Sequence, residues 1–578
     1  MFKVRRLPPP DPMTPKVSTR TPMATILVSL VAGLSLARHF EIASYILLSL
    51  ALGGGIIALL TSHKNAPELL WTFVFIVSAT LCFWAYGNIR LTPKPTAFDL
   101  EMPQREAQLT LRVQTVLRSS NRYQSANVIA RALHVPEIGR LLEGDLVYAQ
   151  LRIPKQSVLA KHPAVLLQKG LEIRTTGRLI PIPETSGTEP GNDFDRYLRN
   201  IGVHYRLNCT HEPEPVKLPS TFAQFCASMN QRFQAILQMG APEDSVLANI
   251  YVTMLLGNNA ALDSEQRERY RMTGTMHFFA ISGLHIGVIA TAIAQCLLLL
   301  RIPRSFGPWI GLPLLFLYVE ITGASSSAVR AFLMTAFFWS GFAFSRQHTS
   351  FAALVNSALA VLLIDPGQLW NLGFQLSYMV VASILLLGLP TSLRLKQSCR
   401  PYQWLPEEDL KTHQRMISWS LNKVIPLFAI SFSAWLGSAP LCATFFNLIT
   451  PGAIVFNMLL VCLVAIAIVS GMLSIGFAVL LLSPVSEFIN HAAWLVISVM
   501  DGIVSLGALV PRIDLQNGAS LSKLSYATLF AYFSSLIWLH RNPERMQTHQ
   551  IWFPVIILLI GMGLILLFQV LPGFQASV

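Results

Sequence analysis

Charge is what this sequence has least of. Of its 578 residues only 13% are charged while 53% are hydrophobic, whereas soluble domains carry roughly a quarter charged residues. So little charge cannot clothe a water-soluble chain of this length, and so much apolar surface cannot stay solvated as a disordered polymer. Acidic residues are the scarcer sign, 30 against 43 basic, leaving a formal net charge of +13. No GxxxxGK[ST] stretch occurs, so the phosphate-cradling loop of an ATP-driven motor is missing. The seven cysteines (Cys82, Cys209, Cys226, Cys296, Cys399, Cys442 and Cys462) form no CxxC pair, and no two of the 13 histidines stand two residues apart. Structural zinc, dithiol redox chemistry and a two-metal hydrolytic centre are therefore not expected, and no metal or cofactor is.

What the sequence does contain is long apolar runs. The first three lie at about 23–37, 42–62 and 69–86; a bilayer-spanning helix needs roughly 20 such residues, so the first is short and the others suffice. Before them, residues 1–22 read as a disordered basic arm, MFKVRRLPPPDPMTPKVSTR and two more. Its Lys and Arg residues hold the N-terminus in the cytoplasm by the positive-inside rule. No cleavage pattern follows, so the first apolar run is expected to remain in the mature protein. Three crossings over 23–89 then place the next segment, 90–217, outside the cytoplasm.

That segment changes character. QLTLRVQTVL (108–117), GDLVYAQLRI (144–153) and GLEIRTTGRLI (170–180) alternate apolar and polar residues between Gly, Pro and Asn breaks, the pattern of a small β-barrel or sandwich. Residues 90–220 hold 18 basic and 13 acidic side chains. A basic barrel fits an OB-fold that holds single-stranded nucleic acid, and it fits equally a scaffold domain with ordinary surface charge. Cys209 and Cys226 lie in or near this insert, where an oxidising compartment leaves a disulfide open.

Membrane character then returns. Residues 218–262 read as a connecting helix followed by a shorter amphipathic stretch, 245–262, that lies in the interface or re-enters. Spans are expected near 275–300, 307–323, 327–345, 350–364, 371–389, 424–446, 452–482, 487–510, 522–540 and 551–569. They divide into a main domain, 263–515, and C-terminal helices, 516–578. Whether 452–482 is one long span or two short helices decides the side on which Arg541 and Arg545 fall. The fold class is thus a polytopic α-helical membrane protein with an inserted small β-barrel (OB-like) soluble domain.

Ionisable and polar groups within spans are costly, which makes each a candidate for function. RMTGTMHFFAISGLHIGVIA (271–290) holds His277, Ser282 and His285 with Gly274, Gly283 and Gly287; Ser282 and His285, three apart, are expected to share a helix face. YVEITGASSSAVRAFLM (318–334) places Glu320 and Arg330 around a tight small-residue stretch, where a structural Glu320–Arg330 ion pair competes with a water-lined role for the arginine. LLIDPGQLWNLGFQLSYMVVAS (362–383) brings Gln375 and Ser377 into a span, and GSAPLCATFFNLITPGAIVFN (437–457) sets Pro440, Asn447, Pro451 and Asn457 between apolar runs.

In LLGNNAALDSEQRERYRMTGTMHFFAISGLHIG (255–287), TGASSSAVRAFLM (322–334), DPGQLWNLGFQLSY (365–378) and the segment 440–457, the chain resembles the ComEC competence family, inner-membrane channels for incoming DNA. GNDFDRYLRNIGV (191–203) is similar to the end of that family's soluble domain, so the resemblance runs from about 23 to 510. It implies an extracytoplasmic OB-fold feeding a multi-helix domain through which one DNA strand reaches the cytoplasm during natural transformation. Carried over position by position, it implies His277, Ser282, Gly283, His285, Arg330, Gln375 and Asn457 as channel or DNA-path residues, none of them catalytic. Many members have Pro where this chain has Ser326. Many also continue into a metallo-β-lactamase-like domain with an HxHxDH motif; here that motif is absent and the last apolar run is IWFPVIILLIGMGLILLF (551–568), so no nuclease activity is expected. The implied partners are single-stranded DNA, membrane lipid, and a separate DNA receptor, helicase-type motor and nuclease, with a homo-oligomer left open. Two other functions compete. A secondary transporter or flippase would use the same broken helices, with Asp501, Glu320 or His285 as titratable groups. A membrane hydrolase would use Ser282 and His285, without a visible orienting Asp.

Overall fold

The computed structural model describes residues 22–40, 42–63, 68–91, 104–120, 125–134, 144–154, 167–182, 193–242, 245–257, 264–344, 349–399, 401–402, 410–509, 513–515, 522–541 and 552–570. The basic arm before Pro22 and Arg545 lie outside them. Three apolar helices come first, α1 (Pro22–His39), α2 (Ser44–His63) and α3 (Glu68–Arg90). Six strands follow: β1 (Arg105–Ser120), β2 (Ser125–His134), β3 (Leu146–Arg152), β4 (Glu172–Pro181), then α4 (Asp193–Asn200), β5 (Val203–Cys209) and β6 (Glu214–Lys217).

The strand order is β1-β2-β3-β5-β4, and β4 pairs back onto β1. Five strands therefore close a barrel, with β3 and β5 parallel and the other pairings antiparallel. This is the OB-like topology. Closure follows from the alternation: Leu109, Leu111 and Val113 of β1 and Ile173 and Leu179 of β4 point into one core, while the residues between them face outward. Two of the barrel's arginines are committed to carboxylates, Arg112 to Glu172 at 2.7 Å and Arg206 to Asp195. Cys209 and Cys226 are both free thiols, because one sits on β5 and the other on the helix beyond the barrel.

That helix, α5 (Thr221–Leu237), opens the membrane part; Ser220 caps it by accepting a hydrogen bond from the Ala223 amide. α6 (Val246–Leu256) is less amphipathic than the sequence reading expects. Its sequence is uncharged and largely apolar, and every residue from Ala248 to Leu256 except Asn249 is buried, the condition of a helix enclosed by others. The Ile236 carbonyl near the end of α5 accepts from the Asn490 side chain. α5 and α6 pack against one another.

Next come α7 (Ser264–Met272), a 3-10 turn (Met276–Phe278), α8 (Gly283–Leu299), α9 (Gly307–Ile321), α10 (Ser326–Ala343) and α11 (Ser350–Ile364). A second 3-10 turn (Pro366–Trp370) leads into α12 (Leu372–Ser383), which runs through a π-turn (Ile384–Gly388) into α13 (Leu389–Ser398). The remaining helices are α14 (Thr412–Phe446), α15 (Ala453–Val479), α16 (Ser483–Gly507), α17 (Ser522–Arg541) and α18 (Phe553–Val570). The 452–482 question is answered by α15, one continuous helix of 27 residues. Between α14 and α15 the chain forms β7 (Leu448–Ile449), paired with β8 (Ile513–Asp514). Among the described residues six helices are long and apolar enough to cross a membrane: those within Leu70–Arg90, Met276–Leu299, Leu372–Ser398, Thr412–Phe446, Ala453–Val479 and Ser483–Gly507. The chain is a multi-pass membrane protein.

Candidate functional site

Hydrogen bonds tie many helix ends to one level of the bundle. Tyr86 and Arg90, at the end of α3, donate to the Leu363 and Ile364 carbonyls at the end of α11. Arg330, in the second turn of α10, donates to the Gly373 carbonyl at the start of α12. Tyr526, in the second turn of α17, donates to Gln375. Trp435 of α14 donates to Thr450, just before α15. This level, where α3 ends before the barrel, is here termed the upper end, and the four interrupted segments meet there.

The first of them begins with α7, held by Tyr270, whose hydroxyl donates to Asp501 of α16 at 2.7 Å, and by Arg269, which donates to Ser505 at 3.1 Å. The chain then turns at Gly274 with φ +70°, where a Cβ would lie 2.9 Å from Thr450 Oγ1 and 3.2 Å from the Ala453 Cβ. Only glycine combines that left-handed backbone with so close an approach. His277 follows in the 3-10 turn; its Nδ1–H donates to the Gly274 carbonyl at 3.0 Å, its ring packs on Phe278, and the side chain is exposed. Ser282 and His285 do not share a helix face as expected. Ser282 is extended backbone and caps α8, whose helical geometry starts only at Gly283.

His285 occupies the third helical position and reaches back: its Nδ1 accepts from the Ser282 amide at 3.3 Å and lies 3.0 Å from Ser282 Oγ. This is a capping box with histidine in the place usually taken by Glu or Gln. An Nδ1 that accepts leaves the proton of the neutral ring on Nε2, and that nitrogen is buried without a partner in a fully buried residue. Gly283, beside it, is exposed with open space where a side chain would stand.

Arg330 is 4% exposed; its Nη2 donates to the Gly373 carbonyl at 2.9 Å, and its buried Nε has no partner. No ion pair joins it to Glu320 among the described residues. Glu320 instead lies near Cys226 of α5. Of the two readings of this pair, the ion pair is not formed: the intervening turn, with Gly323 and Ala324 both at positive φ, separates the two side chains. Gln375 bridges two elements, donating to the Leu369 carbonyl and accepting from Tyr526, both at 2.9 Å. Asn457, one turn into α15, has a buried Oδ1 without a partner. Among the described residues no group of three or more His, Cys, Asp or Glu could hold a metal ion.

Sequence reasoning missed Tyr270, the partner of Asp501, and Tyr526, the partner of Gln375, because neither pairing is local. It also missed Arg38, whose guanidinium lies 4.7 Å from the centre of the Trp370 ring.

A sequence model described as Competence protein matches residues 254–546, which contain all four interrupted segments. The ComE operon protein 3 of Bacillus subtilis (strain 168) is 28% identical over 232 residues, which are 40% of this chain and 29% of that protein's length. The chain thus matches less than a third of that relative. No solved structure matches. With just over half of its residues inside the family match, the chain belongs to the competence protein family.

Proposed function

We propose that this protein is the channel that passes single-stranded DNA across the cytoplasmic membrane during natural transformation, with its N-terminus inside and the β-barrel outside. The observation that carries the reading is the meeting, at one end of the bundle, of four broken-helix segments whose polar atoms include a histidine Nε2, an arginine Nε and an asparagine Oδ1 with no partner among the described residues. Interrupted backbone at membrane depth is tolerated where it borders protein or a water-filled path. A flexible polyanion needs spaced positive charge, amide dipoles and aromatic faces along its route, and Arg330, the start of α8 and the ring of His277 on Phe278 are of those kinds. His277, Ser282, Gly283, His285, Arg330, Gln375 and Asn457 are the proposed path residues. The protein transports and does not catalyse; membrane lipid surrounds it, and a receptor, a helicase-type motor and a nuclease act as separate partners. A small-solute carrier or flippase is not favoured by the family match.

The test is transformation in a deletion strain carrying this chain or none, with DNA bound at the cell surface scored separately. Surface binding should persist without the chain, while uptake and recombinants are lost. Recombinants at full frequency in the deletion strain would refute the proposal.

A further inference from the structure

The upper end carries a second group of side chains that none of the path residues explains. Arg38 closes α1, and its guanidinium sits over the indole of Trp370. Trp370 is half-buried and packs against the core around α11, α12 and α17, so one part of the ring is fixed and the guanidinium covers another. Tyr526 stands within electrostatic reach of Arg38 and is 37% exposed; its hydroxyl is held by Gln375. Arg38 is itself exposed. No carboxylate pairs with it among the described residues, and Asp365, the nearest acid in sequence to Trp370, is engaged by the Gly367 amide and the Gln368 side chain. Arg90, also exposed and without an ion pair among the described residues, donates to the Ile364 carbonyl a few residues before Trp370.

An arginine stacked on a tryptophan has given up part of its hydration while keeping its charge and its outward N–H groups. A tyrosine and a second arginine close by complete what a single strand needs at one step of its path, aromatic surface for a base and cations for the flanking phosphates. We infer that Arg38, Trp370 and Tyr526, with Arg90 beside them, form a nucleotide-binding station for single-stranded DNA at the upper mouth of the bundle. The inference rests on the channel reading and adds to it a site in which α1, outside the matched segment, supplies the cation. An alternative, that the stack only anchors α1 to the helices it touches, predicts a different outcome below.

The full chain is reconstituted in discs of zwitterionic lipid, and two labelled probes are titrated at several salt concentrations: a thymidine 20-mer and an abasic strand of the same length. Arg38→Met keeps a long stem over the indole and removes the charge. It should insert normally, bind the thymidine strand about tenfold more weakly and flatten the salt dependence by about 0.7 in log–log slope, the share of one phosphate. Arg38→Lys should keep the slope. The wild type should prefer the thymidine strand to the abasic one severalfold, and Trp370→Leu should abolish that preference. Wild-type affinity and slope in Arg38→Met would remove the station and leave the channel reading standing. Failure of Arg38→Met to insert, with Arg38→Lys inserted, would assign the stack to anchoring and overturn the site. A wild type that binds neither probe would overturn both readings.

Discussion

Replacing Arg330 by methionine separates a residue kept for function from one kept for folding. In the folded protein the guanidinium is 4% exposed, donates one hydrogen bond to the Gly373 carbonyl at 2.9 Å and has no carboxylate partner among the described residues. A hydrogen bond from a charged donor contributes about 1.5–3 kcal/mol. Against this stands the desolvation of the charge, still several kcal/mol per ion after relaxation. A carbonyl dipole offsets only part of it, and the buried Nε offsets none. Methionine fills similar space, is flexible and leaves nothing charged behind. The balance therefore comes out near zero to about 3 kcal/mol in favour of Arg330→Met. The variant should insert, and its thermal midpoint, followed by tryptophan fluorescence in lipid discs, should be unchanged or raised. DNA uptake should nevertheless fall at least tenfold, and Arg330→Lys should keep part of it, since a point charge still attracts phosphate. Glu320→Gln should change neither quantity, because Glu320 is not its partner. A lowered midpoint in Arg330→Met, or full uptake, would refute this reasoning.

Three further outcomes follow from the same geometry. His285→Gln retains an acceptor for the Ser282 amide and should hold the thermal midpoint while lowering uptake, whereas His285→Ala should cost about 1 kcal/mol or more through the lost cap; equal midpoints would disprove the capping role. Gly274→Ala forces a side chain into a positive-φ turn and against Thr450, which should cost about 1–3 kcal/mol, with Thr450→Ala in the same chain restoring part of it; an unchanged midpoint in the single variant would count against the contact. In the barrel, burial pushes the Cys209 thiol from 9.0 up to about 11. A raised folded pKa means that the unfolded chain loses its proton first. The stabilisation is therefore complete below pH 9 and lost as the pH climbs to about 11. Thiol labelling of the folded protein should rise only towards the upper end of that window, and rapid labelling at pH 8 would contradict the burial.

The architecture was legible where one physical rule dominates. GLEIRTTGRLI reads as a strand because its alternation survives in β4, where Ile173 and Leu179 are buried and Glu172 pairs with Arg112. Runs such as 453–479 read as helices because length and apolarity alone suffice. α6 is enclosed rather than amphipathic, and the signal is in the sequence: VLANIYVTMLL carries no charge, and a short helix so nearly apolar belongs inside. The site was legible as residue types but not as contacts. Ser282 and His285 meet as a cap and its third residue, which depends on where α8 starts, and Gly283 leaves that start undecided in the sequence. Tyr270 with Asp501, Gln375 with Tyr526 and Arg38 with Trp370 are joined only by the way the helices assemble. Local spacing carries no trace of such pairs.

Directly beneath the polar level the bundle is dry. Ile286, Ile289 and Ala290 of α8 pack with Leu460, Val464 and Ile468 of α15 and with Ile497 of α16, all buried. A phosphate drawn into such a core would lose its hydration with nothing to replace it. On the channel function proposed above, these side chains bar a strand's way below the upper end, and α8 and α15 would have to part to let it through. The fold holds places where bending costs few hydrogen bonds. α14 contains Pro426 and Pro440. The long helix from Leu372 to Ser398 relaxes into a π-turn just before Pro390, which has no amide to offer the Leu386 carbonyl four residues back. His540 of α17 supplies the missing donor, its Nε2 lying 2.7 Å from that oxygen. Flexing there exchanges one side-chain hydrogen bond and leaves most of the ladder intact, as π-turns and proline kinks allow. The upper end and this bendable point share elements: α12 carries Gln375 and runs into the π-turn, and α17 carries both Tyr526 and His540, so the two levels are joined by continuous helices.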